Sequence, residues 1–219
     1  MQKTISIIKG RKDETYHDFH SRIKDICLGI SEHKPAGLHY TITLEKPPKL
    51  SVIPFLGSKI ALISIHGNNI IPYENMAGYE GFAGSYAVTE ALPLAYTKNW
   101  SDGEPTPGIC LLTLFRKKKG LGHEAFIDRW HNGHTPFTLK VHPIYHYNRN
   151  VVNGAIGEVQ EQYDGIVEEH CRNRTELLNP MKFFAKSGFA IKNMILTWFD
   201  TKSFIDYKSM ETYLVQEYH

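Results

Sequence analysis

The sequence predicts an α+β fold: two ferredoxin-like β-α-β-β-α-β units follow one another and pack their antiparallel sheets together. Three observations predict it. The same order of elements can be read on either side of Lys98–Gly108, a Gly-, Pro- and Asp-rich break near mid-chain. The last strand of each half reads Tyr-x-Val-x-Glu, at Tyr86–Glu90 and Tyr213–Glu217. An ungapped overlay of residues 5–23 on 112–130 places Lys12 on Lys119, Phe19 on Phe126 and Arg22 on Arg129. The expected organisation is therefore a unit at 1–98, a linker at 99–108 and a second unit at 109–219.

In the first half the elements are a strand at Thr4–Ile8, a helix at Thr15–Ile30 and strands at Leu38–Leu44 and Ile60–His66. A short helix near Tyr73–Tyr79 and a strand at Ser85–Leu92 complete it. In the second half Ile109–Phe115 is a short β-rich apolar run ended by Lys and Gly, hence a buried strand. A helix starts from His123; at ~100° per residue Phe126, Trp130, Gly133 and Phe137 form its inward stripe, and His131 faces solvent. Strands at Ile144–Val152 and Tyr163–His170, a helix at Thr175–Phe184 and a strand at Thr212–Tyr218 close the unit. Residues 185–209 fit it poorly and, carrying Trp198, Phe199 and Phe204, read as a covering excursion.

Composition narrows the function classes. With 25 basic and 23 acidic residues the net charge is +2, so no global field recruits nucleic acid or a membrane. The run Arg116–Lys119 reads as a solvated turn. No stretch approaches the ~18 consecutive apolar residues of a membrane span, and the N-terminus lacks a secretion signal. The expectation is a cytoplasmic protein with Cys27, Cys110 and Cys171 as reduced thiols.

The chemistry-bearing residues cluster in the second half. Strand alternation sets Tyr145, Tyr147 and Val151 on a helix-covered face and His146, Asn148 and Asn150 on a cleft face. The next strand adds Asp164, Ile166, Glu168 and His170 to one face and leaves Gly165 and Val167 on the other. His134 lies at the margin of its helix's stripe, where an imidazole can act near pH 7 or serve as a structural hydrogen-bonding group. The polar strand face is equally the solvated side of an antiparallel sheet. Twelve histidines raise the question of metal, but His131/His134 and His142/His146 are not an HExxH helix, and Pro143 interrupts the second pair. No metal site is expected.

Trp130, His134 and Pro136 on one helix, Tyr147, Asn150 and Val152 on the next strand, and the Asp164-Gly165 step resemble the signatures of the EthD-like family. The closing stretch from Ser203–Asp206 to Glu217 is similar too. The resemblance covers about residues 109–219; the first half carries Ile23 and Cys27 opposite Trp130 and His134. It implies a dimeric α/β barrel, here able to close within one chain, and a link to the breakdown or tailoring of small organic compounds. A homodimer stays open. The function expected on these grounds is a cleft for a small aromatic or polyketide-like compound, with cofactor-free proton transfer such as isomerisation, dehydration or decarboxylation. His134 would be acid or base, Asp164 and Glu168 would orient it, and His146, Asn150 and Trp130 would hold the ligand. The rivals are a non-catalytic binding or accessory protein and a haem-dependent oxidase or peroxidase.

Overall fold

A computed structural model describes residues 2–67 and 73–219. Eight antiparallel strands form a closed barrel in the order β1-β3-β2-β8-β5-β7-β6-β4. They are β1 Lys3–Lys9, β2 Gly37–Ile42, β3 Ile60–His66, β4 Phe82–Leu94, β5 Ile109–Phe115, β6 Ile144–Ile156, β7 Gly165–Cys171 and β8 Glu211–Tyr218. Strands β4-β1-β3-β2 precede the mid-chain break and β8-β5-β7-β6 come after it. The two sheets join edge to edge, β2 to β8 and β4 to β6, so every edge strand finds a partner.

Helices cover the outside. In the first half these are α1 Tyr16–Ser31 and α2 Tyr73–Ala77; Thr15 caps α1 by accepting a hydrogen bond from the Asp18 N–H. In the second half they are α3 His123–Asp128, a π-helical turn at Arg129–His134, α4 Thr135–Val141, α5 Arg174–Leu178, α6 Pro180–Phe183 and α7 Ala190–Phe204. The strands are thus buried on both faces, and β1, β3 and β7 are buried almost without interruption. Three apolar clusters result. Ile8, Phe19, Ile23, Cys27 and Ile63 pack under α1. Phe115, Phe126, Trp130, Tyr147, Val167 and Phe204 pack under the helices of the second half. Ile5, Leu62, Tyr86, Leu112, Ile166 and Tyr213 fill one end of the lumen. The three cysteines are free and buried. No described helix is long and apolar enough to cross a membrane.

Four expectations need correction. The 185–209 excursion holds a full helix, α7, packed over the second-half sheet. The helix expected at Thr175–Phe184 is two short ones, because Asn179 ends the first in an extended conformation and Pro180 starts the second. The π turn at Arg129–His134 takes in an extra residue and rotates the rest of the helix about its axis. Gly133 is therefore exposed, Thr135 and Thr138 are buried instead, and His131 is half-buried with its Nε2 enclosed. The linker 99–108 is not free: Gly103 N–H donates to the His219 carbonyl at 2.7 Å and Thr106 N–H to that of Glu217 at 2.8 Å.

Candidate functional site

The barrel wall separates two cavities, and alternation along the strands decides which residue faces which. The first cavity, of about 520 Å³, lies outside the wall between β5, β7, α7 and the loop carrying Val52–Leu56. Its lining is dominated by Phe115, Trp130, Val167, Phe183, Met194 and Trp198, with His134, His142, Glu169 and Tyr207 as its titratable groups. An apolar cavity with a few convergent polar groups is the usual form of a small-molecule site.

His142 is put there by its neighbour. It precedes Pro143, which forces it into an extended conformation (φ −94°, ψ 142°), ends α4 and turns the imidazole towards the sheet. The ring packs against Phe183 with centroids 4.0 Å apart. Its Nδ1 lies 3.3 Å from Glu169 Oε1, while its buried Nε2 has no hydrogen-bond partner among the described residues. A buried, unpaired ring nitrogen costs about 1–3 kcal/mol and is retained where something else meets it.

His134 lines the same cavity, but both its nitrogens are engaged: Nδ1 lies 2.6 Å from Asp200 Oδ2 of α7, and Nε2 lies 3.1 Å from Thr138 Oγ1. The expected orienting carboxylates are elsewhere. Asp164 sits where β7 begins and accepts from the Lys117 backbone N–H at 2.9 Å and Nζ at 3.0 Å. Glu168 faces the opposite side of the wall. Trp130 is buried in the outer cluster and borders the cavity, with the Arg149 guanidinium 5.8 Å from its ring centroid.

The second cavity, of about 480 Å³, opens at the polar end of the lumen and is lined by His39, His66, Glu90, Tyr96, His146 and Glu217, among others. The alternation on β6 and β7 is as expected: His146, Asn148, Asn150, Glu168 and His170 point inward, and Tyr147, Val151 and Val167 outward. Asn150 Nδ2 donates to Asn148 Oδ1 at 3.1 Å, and Asn148 donates to Glu90 at 2.9 Å. Burial, and then the nearby His170, push the His146 imidazole down to about 4. Burial pushes the Glu168 carboxyl up to about 7, Glu217 and Glu90 adding to it and Lys3 opposing it. Thr41 also eases the charge on Glu168, although neither side chain makes a hydrogen bond of regular geometry. The structure therefore groups His146, Asn150 and Glu168 in the lumen, with His134 and Trp130 across the wall and Asp164 in neither cavity.

His142, Glu169 and Asp200 carry the outer site without having been singled out for it. Glu169 was accessible to alternation, since it shares Val167's face. Asp200 was not, because nothing in the sequence placed residues 185–209.

No family model and no curated protein matches the chain. Solved structures do. One is an anthrone oxidase-like protein, 10% identical with a TM-score of 0.61, matched over 100% of this chain and 91% of that one. Another is a protein provisionally named a monooxygenase, from Fusobacterium nucleatum subsp. nucleatum, 11% identical with a TM-score of 0.56, covering 100% of this chain and 92% of that one. The likeness is one of fold.

Proposed function

We propose that this chain is an EthD-like enzyme that holds a planar, fused-ring aromatic compound in the outer cavity and removes a proton from it with His142. The observation that carries this reading is the unpaired His142 Nε2 at the wall of an apolar cavity, its Nδ1 set against Glu169. With its proton on Nδ1 and donated to Glu169, the imidazole presents the Nε2 lone pair, the arrangement a general base needs. Aromatic and Met side chains favour a flat apolar substrate.

The anthrone named for one structural neighbour has such a shape, with a methylene flanked by two aryl rings. Loss of one methylene proton gives an electron-rich anion that dioxygen itself oxidises; overall CH₂ and O₂ become C=O and H₂O. This route draws on no metal or cofactor. His134 and Asp200 would brace the cavity by tying the π turn to α7, which makes His134 a positioning residue. The cavity suits haem poorly, because among the described residues its lining holds no Lys or Arg for the propionates.

Anthrone is the probe, with binding read from tryptophan fluorescence, since Trp130 and Trp198 line the cavity, and turnover measured in air. His142→Ala is expected to keep binding within a few-fold and lose about 10²–10⁴-fold in turnover. His134→Ala should loosen α7 and raise KM more than it lowers kcat. Cys27→Ala, in the core of the other half, should leave both unchanged. Full turnover by His142→Ala would end the proton-transfer role. Wild-type binding without conversion would make the chain an accessory binding protein, and a Soret band in the purified protein would restore the haem reading.

A further inference from the structure

Across the wall from that cavity, three strands distant in sequence bring together His39 of β2, Glu168 of β7 and Glu217 of β8. One ligand atom from each lies within 4.8 Å of the other two, and all three residues are buried. His39 Nε2 and both Glu168 oxygens have no hydrogen-bond partner among the described residues. Glu217 is anchored through Oε2, which accepts from Tyr96 Oη at 2.8 Å and Thr106 Oγ1 at 2.6 Å and lies 3.2 Å from His219 Nε2. Its Oε1 faces inward, 3.9 Å from His170 Nε2.

The matching position in the first half carries a cation that this cluster lacks. Lys3 stands opposite His66 as Cys110 stands opposite His170, and Thr41 stands opposite Glu217 as Asn150 stands opposite Glu90. Glu90 is thus the counterpart of Glu217, and Lys3 that of Cys110. Around Glu90 the positive charge is built in: Lys3 Nζ donates to Oε1 at 2.6 Å, with Asn148 Nδ2 at 2.9 Å from the same oxygen and His66 Nε2 at 3.1 Å from Oε2. Around Glu217 the corresponding side chain is the buried thiol of Cys110. Lys3 is bound to Glu90; beside Glu217 stand two imidazoles, His219 Nε2 at 3.2 Å from Oε2 and His170 Nε2 at 3.9 Å from Oε1, while neither Glu168 oxygen has a bonded cation among the described residues. Three inward carboxyl groups share one ammonium, and buried charges persist only when paired or bound to metal, so Glu168 and Glu217 are ionised together only beside a further cation.

We propose that His39, Glu168 and Glu217 bind one divalent transition-metal ion. One imidazole and two carboxylates, with no thiolate, suit Zn²⁺ or Mn²⁺. Three protein ligands leave coordination positions open, and the lumen cavity reaches both His39 and Glu217, so water or an oxygen-bearing molecule can complete the shell. The expectation of no metal considered only His131/His134 and His142/His146. His142 and His146 in fact face opposite sides of the wall, and none of the four supplies a ligand to this cluster.

The full chain is stripped with a chelator and titrated separately with Zn²⁺ and Mn²⁺, with metal content measured after gel filtration and Tm with and without the ion. One equivalent of at least one of them should be retained and should raise Tm. His39→Ala and Glu168→Gln should each weaken binding by more than the roughly 100-fold typical of losing an outer partner, while His142→Ala leaves it unchanged. Should His39→Ala not fold, Glu217→Gln, which keeps the side-chain shape, gives the same reading. No stoichiometric ion, or affinity unchanged in the lumen variants, overturns the proposal; loss of binding in His142→Ala would place the ion in the outer cavity.

Discussion

Single residues in this barrel are set by which face of a strand they occupy. Glu168 and Glu169 are adjacent in sequence, yet one faces the lumen cluster and the other the His142 cavity. His146 shows the energetic consequence. Its imidazole is buried and pushed down to about 4, whereas the same group in the unfolded chain titrates near its ordinary 6.5. Between those values the unfolded chain binds more protons, so stability rises with pH across the window. It is complete above about 6.5 and is lost as pH falls through about 4. His146→Gln removes that dependence. Denaturant titrations at pH 4, 5, 6 and 7 should show the wild type losing up to about 3 kcal/mol more than the variant. Parallel curves would mean that burial of His146 is not the cause. The inward set His146, Asn150 and Glu168 was legible in the sequence because alternation is a strictly local rule. Asp164 was misplaced by the same rule, since β7 begins one residue after it and the alternation has no hold there.

At the scale of elements, what the sequence shows poorly is anything that changes phase. The helix from His123 is continuous in pattern, but one π turn moves His131 from solvent into partial burial and Gly133 from the core to the surface. Helix α7 was hidden for another reason: it leaves Ile191, Ile195, Trp198 and Phe199 exposed, so its apolar residues do not form a single inward stripe. Strand boundaries were more legible, and Ile109–Phe115 and Ile60–His66 stand where their β-rich composition put them. The Asp-Gly step at the start of β7 has a packing reason. A Cβ at Gly165 would lie 2.4 Å from Phe115 Cζ and 2.8 Å from Trp130 Cη2, two buried rings that cannot withdraw. Gly165→Ala should therefore destabilise by about 1–3 kcal/mol and shift the fluorescence of Trp130, the indole it displaces. A variant as stable as wild type, with unchanged emission, would show that this wall is looser than its geometry.

For the whole molecule the question is what closes the barrel. The β4–β6 seam is long, running from Ser85 opposite Ile156 to Leu94 opposite Tyr147. The β2–β8 seam spans only Tyr40 opposite Tyr218 to Ile42 opposite Gln216. Residues 99–108 reinforce the short one: Pro105 pairs with Tyr218, and Thr106 donates to Glu217 through both its N–H and its hydroxyl. We read the chain as two fused units, 1–98 and 109–219, because the pairing registers of the halves correspond and Tyr-x-Val-x-Glu occupies the lumen in both. Either unit alone would expose two strand edges and the entire lumen face, apolar at one end and charged at the other. Neither should then be a stable monomer. Expressed as separate chains, 1–98 and 99–219 should each be aggregated or self-paired by light scattering, and co-expression should give a 1:1 complex that unfolds in one transition. The complex should be weaker when the second chain begins at 109, because the short seam then lacks its reinforcement. A half that stays monomeric and melts cooperatively by itself would show that closure is not what stabilises the fold. Equal stability with and without 99–108 would return that segment to the role of a plain tether.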